Sequence, residues 1–169
     1  VCGFHECVLA AFGAAERQSD DPRAGNRLDI VHVNELKGGS AATAHLLAFD
    51  SVQGRWREDI EAESDSTIRI GQQKIRFTSH ATPAEIPWGD LGVDLVLECT
   101  GKFLTPETIQ GHLDRGVKRV IVAAPVKVGD VLNVVVGVNE HLYDPSRHQI
   151  VTAASCTTNC LAPVVKVVH

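Results

Sequence analysis

A cysteine framed by small hydroxyl residues stands in the segment Ser155-Cys156-Thr157-Thr158-Asn159. It follows an apolar strand-like run, Gln149-Ile150-Val151, and precedes a helix-like run from Leu161 to Val168. A cysteine at a helix N-terminus feels the positive end of the helix dipole, which favours thiolate over thiol, and a thiolate attacks carbonyl carbon. Nearby hydroxyls and unbonded amides suit an anion such as phosphate. These residue types in this order point to covalent catalysis on a phosphorylated carbonyl compound. Cys156 is the candidate nucleophile, Ser155 and Thr157 are candidate anion donors, and Asn159 is placed to orient the turn. The bland alternative is an inert buried thiol, the usual fate of a lone cysteine. Cys160, four residues on and on the same helical face, reads as core packing, although oxidation could pair it with Cys156.

A second constellation suggests a dinucleotide. Gly3 begins a turn between a strand end and a helical pattern, and Glu35 closes the next strand, an offset of 32 residues (35 − 3). A carboxylate there accepts hydrogen bonds from both ribose hydroxyls and repels a 2′-phosphate, which favours NAD over NADP. The remaining glycine positions of that fingerprint hold His5 and Val8, and Glu6 adds negative charge beside the phosphates. A plain strand–helix turn that needs Gly3 only for its backbone is the competing reading. Cys2, His5 and Cys7 cluster without a second Cys/His pair at zinc spacing, so no metal site is expected.

The elements that must position these residues alternate. Helical patterns cover Phe4 to Glu16, Ser40 to Phe49 and Pro106 to Asp114, the last with Thr105 as N-cap. Strand patterns cover Leu28 to Val33 (ending at Asn34-Glu35), Val93 to Glu98, Lys118 to Ala123, Asn133 to Val138 and Gln149 to Thr152. Ile68 to Ile70 and Lys74 to Phe77, joined by Gly71-Gln72-Gln73, read as a hairpin. This order implies an α/β fold, Rossmann-like and doubly wound, with a mostly parallel sheet covered on both faces. Ligands then sit beyond the C-terminal strand ends, at Gly3, Asn34-Glu35, Cys99-Thr100-Gly101, Ala124-Pro125 and Cys156.

The chain has 169 residues, 44% hydrophobic and 22% charged, which suits a soluble globular protein with one good-sized core. A net charge of −5 without a Lys/Arg cluster argues against nucleic acid, and no apolar run is long enough to span a membrane. Five cysteines without small-scaffold spacing read as reduced thiols of a cytoplasmic protein. The chain starts without Met and stops inside a helical pattern at His169, so a fragment of something longer is expected.

Ala154-Ser155-Cys156-Thr157-Thr158-Asn159-Cys160-Leu161-Ala162-Pro163 resembles the active-site signature of phosphorylating glyceraldehyde-3-phosphate dehydrogenases. Val33-Asn34-Glu35-Leu36, Phe49-Asp50-Ser51 with Gly54-Arg55, Gly92-Val93-Asp94 with Glu98-Cys99-Thr100-Gly101 and Phe103, and Gly116-Val117-Lys118 follow in family order. The resemblance implies an NAD-binding Rossmann-like domain at 1–153 and the first helix of a catalytic domain at 154–169, truncated before the rest of that domain. It implies that Cys156 forms a thiohemiacetal and then a thioester cleaved by phosphate held near Ser155 and Thr157. Gly3, Phe4, Asn34, Glu35, Cys99, Thr100, Gly101 and Phe103 are the implied cofactor residues. A homotetramer, a sugar-phosphate aldehyde substrate and a cytoplasmic location come with the family. Four departures accompany the likeness. The family turn Asn-Gly-Phe-Gly-Arg-Ile-Gly is replaced by Cys2-Gly3-Phe4-His5-Glu6-Cys7-Val8. Ala81 stands where an adenine-contacting arginine is common, and Val126 where a serine lies near the nicotinamide ribose. The family's histidine base falls beyond His169, so the fragment alone is expected to be inactive. His32 to Gly39 and Ala123 to Lys127 resemble the branch of arsenic-resistance operons, which uses arsenate in place of phosphate. Erythrose-4-phosphate dehydrogenase and a degenerate, non-catalytic nucleotide-binding or interaction protein are the alternatives.

Overall fold

The computed structural model describes residues 29–50 and 54–169. The expected helix at Phe4 to Glu16 and the turn at Gly3 and Phe4 lie outside the described residues. The chain divides into two compact units, whose described parts are residues 29–86 and 87–169.

In residues 29–86, alternation of apolar and charged side chains makes a meander. Strands β1 (His32–Asn34), β4 (Ile60–Ser64), β5 (Thr67–Ile70) and β6 (Gln73–Thr78) form one sheet in the order β1-β6-β5-β4. β1 runs parallel to β6, pairing His32 with Arg76 and Asn34 with Thr78, while β4, β5 and β6 are antiparallel neighbours. Helix α1 (Gly39–Ala48) packs on β4 and β5 and buries Ala44 and Leu47; the sheet buries Val33, Ile68, Ile75 and Phe77. Period-2 burial along β6 explains the side-chain choice: Ile75 and Phe77 are buried, whereas Lys74 and Arg76 are exposed. The outer face carries Arg69–Glu61 at 2.7 Å and Lys74–Glu63 at 2.6 Å. Such solvated pairs contribute about 1 kcal/mol or less each. Two short strands, β2 (Phe49–Asp50) and β3 (Gly54–Arg55), pair antiparallel beside this sheet's elements in sequence.

Several boundaries differ from the sequence reading. α1 ends at Ala48, and Phe49 turns to extended backbone to pair in β2. The hairpin loop is Gly71-Gln72, because Gln73 already pairs with Ile70; Gly71 adopts φ 55°, the left-handed conformation that a two-residue loop demands. β4 escaped the sequence reading because Ile60-Glu61-Ala62-Glu63-Ser64 carries little apolar weight.

His32 supplies a pH dependence. Its ring is part-buried, its Nε2 lies 3.0 Å from Thr78 Oγ1, and that hydroxyl donates to Asn34 Oδ1 at 2.8 Å, so Nε2–H donates to Thr78. Burial first, then the neighbouring charges of Arg76 and His80, lower its pKa to about 4. Between the unfolded value near 6.5 and about 4, the unfolded chain binds more protons, so stability falls as pH drops through that window. After a discount for partial exposure the loss is roughly 2 kcal/mol. Urea midpoints measured from pH 7 to pH 4 should show it, and His32→Gln should flatten the curve.

In residues 87–169, strands β7 (Leu95–Glu98), β8 (Arg119–Val122), β9 (Leu132–Asn133) and β10 (Ile150–Thr152) form an all-parallel sheet, ordered β7-β8-β10-β9. Helix α2 (Pro106–Leu113) connects β7 to β8, and helix α3 (Cys156–Val168) follows β10. Thr105 caps α2 by accepting from Thr108 N, as its sequence position implies. One sheet face is sealed: Val120 and Val122 are fully buried beside Val96, Ile109, Val117 and Trp88. The opposite face is partly open. Leu97 is 42% exposed, and Leu95, Ile121, Val134 and Val151 line an apolar groove of about 520 Å³.

The strand expected over Asn133 to Val138 is mostly absent. β9 stops at Asn133 because the Asn139 side chain captures the chain: Val135 N donates to Asn139 Oδ1 at 2.7 Å, and Asn139 Nδ2 donates to Asn133 O at 2.9 Å. Gly137 at φ 83° completes the turn, leaving Val136 80% exposed. The described strands form a parallel sheet in residues 87–169, a mixed sheet in residues 29–86 and the β2–β3 pair, with helices between them, as the expected Rossmann-like α/β fold requires. The α/β class itself holds.

Candidate functional site

Parallel pairing decides where the candidate residues of 87–169 emerge. Glu98 pairs with Val122, and Val122 with Thr152, so β7, β8 and β10 end level with one another. The turns that follow, Cys99-Thr100-Gly101 and Ala153-Ala154-Ser155-Cys156, therefore leave the same C-terminal edge of one sheet.

Cys156 is the first residue of α3 and is exposed. Ser155 is the N-cap: its Oγ accepts from Thr158 N at 3.1 Å and lies 2.8 Å from Thr158 Oγ1. Asn159 reaches back one turn, donating from Nδ2 to Ala153 O at 2.7 Å and to Ser155 O at 2.9 Å. This is the turn-orienting role its spacing suggested. The first amides of the helix, at Cys156 and Thr157, have no intrahelical partner, so positive dipole and open N–H groups coincide beside the thiol. Ser155 differs from Thr157: its lone pairs already serve the cap, while Thr157 is exposed. Cys160, expected in the core, is exposed as well. The exposed stretch of α3 around it, Leu161 to Val168, explains this, because the face that a core would need has no packing partner among the described residues.

A polar scaffold holds the turn from below. Thr152, buried, donates from Oγ1 to Asn133 Oδ1 at 2.7 Å and accepts from Ala154 N at 2.9 Å. Ala154 takes φ 55°, rare for a residue with a Cβ, and is itself buried. Such a conformation persists only where neighbours over-determine it, and strain of this kind gathers at functional sites. Asn133 ties further: Nδ2 donates to Val126 O at 3.0 Å, and Oδ1 accepts from Val126 N at 3.2 Å. Lys166 of α3 donates to Gly137 O at 2.6 Å, clamping the helix to the loop after β9. Sequence reasoning missed this scaffold, since its asparagines and threonine are separated by up to 19 residues.

At the other turn, Cys99 is buried, while Thr100 is exposed. Gly101 adopts φ 67°, and Phe103 is half-buried with Lys102 Nζ 5.5 Å from its ring centroid. Glu98, buried, accepts from Thr100 N at 2.8 Å and from the Thr100 hydroxyl. Its other oxygen lies 3.2 Å from Nε2 of the buried His112. Burial alone would raise the Glu98 pKa, but the hydrogen bonds from His112 and Thr100 outweigh it and hold the carboxyl below its usual range. Val126 is buried and keeps its side chain in the core.

In the unit of 29–86, Asn34 ends β1 and is held three ways: Oδ1 accepts from Thr78 Oγ1 at 2.8 Å and His80 N at 2.9 Å, and Nδ2 donates to His80 O at 3.1 Å. The next residue, Glu35, donates its amide to Thr78 O at 3.0 Å and accepts from Lys37 N at 3.0 Å through one carboxylate oxygen. The second oxygen makes no such bond to Lys37 and the side chain is half-buried, which suits a diol ligand. Ala81 is exposed and donates its amide to Glu85. Gly3 and Phe4, with Cys2, His5 and Cys7, lie outside the described residues. Among the described residues no cluster of three His, Cys, Asp or Glu side chains is placed to hold a metal ion.

A family model described as the NAD-binding domain of glyceraldehyde 3-phosphate dehydrogenase matches residues 15–106, more than half of the 169. The chain belongs to the glyceraldehyde-3-phosphate dehydrogenase family. NAD is the cofactor of this domain, and the matched span includes Asn34, Glu35, Cys99, Thr100, Gly101 and Phe103. Curated relatives agree. The chain is 57% identical over 142 residues to glyceraldehyde-3-phosphate dehydrogenase 3 of Nostoc, which covers 84% of this chain and 42% of that protein. It is 50% identical over 167 residues to glyceraldehyde-3-phosphate dehydrogenase 1 of Streptomyces avermitilis, covering 99% of this chain and 47% of the relative. A third, from Mycolicibacterium smegmatis, is 48% identical over 143 residues, 84% of this chain and 41% of that protein. The chain thus spans less than half the length of the relatives it matches. The Streptomyces match, covering nearly all of this dehydrogenase-family chain, carries the likeness through to the Cys156 turn. No described helix is long and apolar enough to cross a membrane.

Proposed function

We propose that this chain supplies the cofactor half and the nucleophile of an NAD-dependent, phosphorylating dehydrogenase of glyceraldehyde 3-phosphate. One observation carries the reading: an exposed cysteine at the first position of a capped helix, on the C-terminal edge of a parallel sheet, within a chain of this family. Cys156 Sγ adds to the aldehyde carbon, and the alkoxide takes a proton to give a thiohemiacetal. NAD+, when bound, would supply the acceptor for the hydride of the thiohemiacetal carbon, while the hydroxyl proton passes to a general base and leaves a thioester on Cys156. Phosphate, drawn to the amides at the start of α3 with Thr157 and Ser155 beside it, displaces the acyl group and frees the thiolate. Glu35 receives the adenosine ribose through its open carboxylate oxygen, next to Asn34. Cys99 (through its backbone), Thr100, Gly101 and Phe103 contact the cofactor, as do Gly3 and Phe4. Residues 1–153 form the NAD-binding domain and 154–169 open the catalytic domain.

No hydrogen bond joins Cys156 to a histidine among the described residues. By the family resemblance, the reading assigns the general base to a histidine tens of residues past the nucleophile, and expects the chain alone to be inactive. A homotetramer in the cytoplasm follows from the same family reading. The attacking anion is phosphate or the near-isosteric arsenate, and His32 to Gly39 with Ala123 to Lys127 favour the arsenate branch. Triose over tetrose phosphate is the substrate preferred by this reading.

NAD titration of the chain tests the cofactor half. Saturable binding is expected, and Glu35→Gln should weaken it about tenfold while narrowing discrimination against NADP, the loss of one charged hydrogen bond. An unchanged affinity and an unchanged preference in Glu35→Gln would remove Glu35 from the ribose site. Absence of saturable binding in the unaltered chain would favour the non-catalytic alternative.

A further inference from the structure

The buried pair of Glu98 and His112 has no part in the chemistry above, although it sits directly beneath an edge turn. Glu98 is 5% exposed and His112 is 2% exposed, and they come from different elements, β7 and α2. Burying a carboxylate is costly unless its oxygens are satisfied. Here each oxygen has a distinct task. Oε2 meets His112 Nε2 at 3.2 Å; as the carboxylate only accepts, Nε2–H is the donor. Oε1 takes both the amide of Thr100, at 2.8 Å, and its hydroxyl. The Thr100 hydroxyl, having donated to Glu98, accepts from Lys102 N at 3.1 Å. Its proton and the Thr100 amide are therefore both committed inside the chain, which fixes the backbone leading from Thr100 to Gly101 at the sheet edge. His112 is in turn fixed by Trp88, whose ring lies 5.6 Å away at 46°.

We infer that Glu98 and His112 are a positioning pair that locks the Thr100–Gly101 turn in its dinucleotide-binding form. The inference rests on the proposed cofactor role of that turn. The chain of action runs from α2 through His112 to Glu98, then to the Thr100 amide and hydroxyl, and so to the peptide groups at the sheet edge. A core pair needed only for stability has no reason to grip the exposed residue two positions on by both of its donors. An ordinary apolar pair at these positions would fill the space with less desolvation.

The experiment is NAD titration of the chain and of variants whose thermal melts confirm folding. His112→Gln keeps an N–H donor near the position of Nε2 and should bind within about threefold of the parent, whereas His112→Leu should lose about tenfold or more. Glu98→Ala and Thr100→Val should each weaken binding, and the double variant should be no weaker than the poorer single, since both cut one path. Glu98→Gln keeps an acceptor for Thr100 and covers the case in which Glu98→Ala does not fold; it should bind better than Thr100→Val. Equal losses in His112→Gln and His112→Leu that follow their melting temperatures would show a merely structural pair and overturn the inference. So would additive losses in the double variant. A parent that binds NAD while every variant matches it defeats the positioning pair alone; a parent that does not bind NAD defeats the cofactor reading and this inference with it.

Discussion

Cys156→Ser in the complete dehydrogenase is expected to lower kcat by at least about a thousandfold, because a serine hydroxyl is far less acidic than a thiol, is a poor nucleophile toward an aldehyde and cannot form the thioester. The substitution is gentle elsewhere. Serine at the first position of α3 leaves the Ser155 cap on Thr158 and the Asn159 bonds to Ala153 and Ser155 intact. NAD affinity should therefore stay within about twofold, which separates lost chemistry from lost folding. Alkylation gives the companion measurement. Cys156 and Cys160 are both exposed and Cys99 is buried, so exposure alone predicts two labelled sites. The dipole field falls off within the first helical turn, and Cys160 lies one turn further in. Iodoacetamide should thus label Cys156 well ahead of Cys160. Equal rates at the two, or residual turnover above a tenth of the parent in Cys156→Ser, would remove Cys156 as nucleophile. Running the turnover assay with phosphate and with arsenate decides the anion.

Asn133→Ala is expected to cause a large loss of stability although the residue lies outside the apolar core. Its side chain makes four bonds: it accepts from Val126 N and Thr152 Oγ1, and donates to Val126 O and Val131 O. Removing it strands the buried Thr152 hydroxyl, which also receives Ala154 N, and unties the residue held at φ 55°. At about 1 kcal/mol per bond, with a further penalty for buried groups left unpaired, the loss is about 3–5 kcal/mol. Urea denaturation should show it as a lower midpoint with unchanged slope. Alkylation of Cys156 should slow in parallel, since the turn that seats the thiol loosens. A loss under about 1 kcal/mol would mean that water replaces the asparagine and the scaffold is not rigid. Asn139→Ala removes two comparable bonds and should cost about half as much.

The two variants mark the division between local and non-local information. The Cys156 turn was legible from residue order alone: a strand run, a hydroxyl cap and a helix run are neighbours in sequence, and capping is a contact of three residues. The same holds for the Thr105 cap of α2 and for Glu35 at the end of β1. Asn133 was invisible, because an asparagine in a strand pattern shows no sign that its partners are Val126 and Thr152. Val134 to Val138 misled for the same reason. Three consecutive valines have high strand propensity, but Asn139 and Gly137 divert them into a turn once the β10 neighbour is in place. Cys160 misled in the opposite sense, its exposure depending on what packs on α3 and not on its own preference.

By itself the sequence determined the α/β class, the family, NAD as the cofactor of the domain, and the cysteine turn, because each is written in contiguous residues whose chemistry is local. Tertiary structure alone decided that Glu98, Val122 and Thr152 end level on one sheet edge, that the described strands divide among a parallel sheet, a mixed sheet and the β2–β3 pair, and that a buried His112 reaches Thr100 through Glu98. The physical reason is that strand register and buried polar pairing are set by which distant segments share a core. Hydrophobic periodicity specifies that a face must be covered, and not by what.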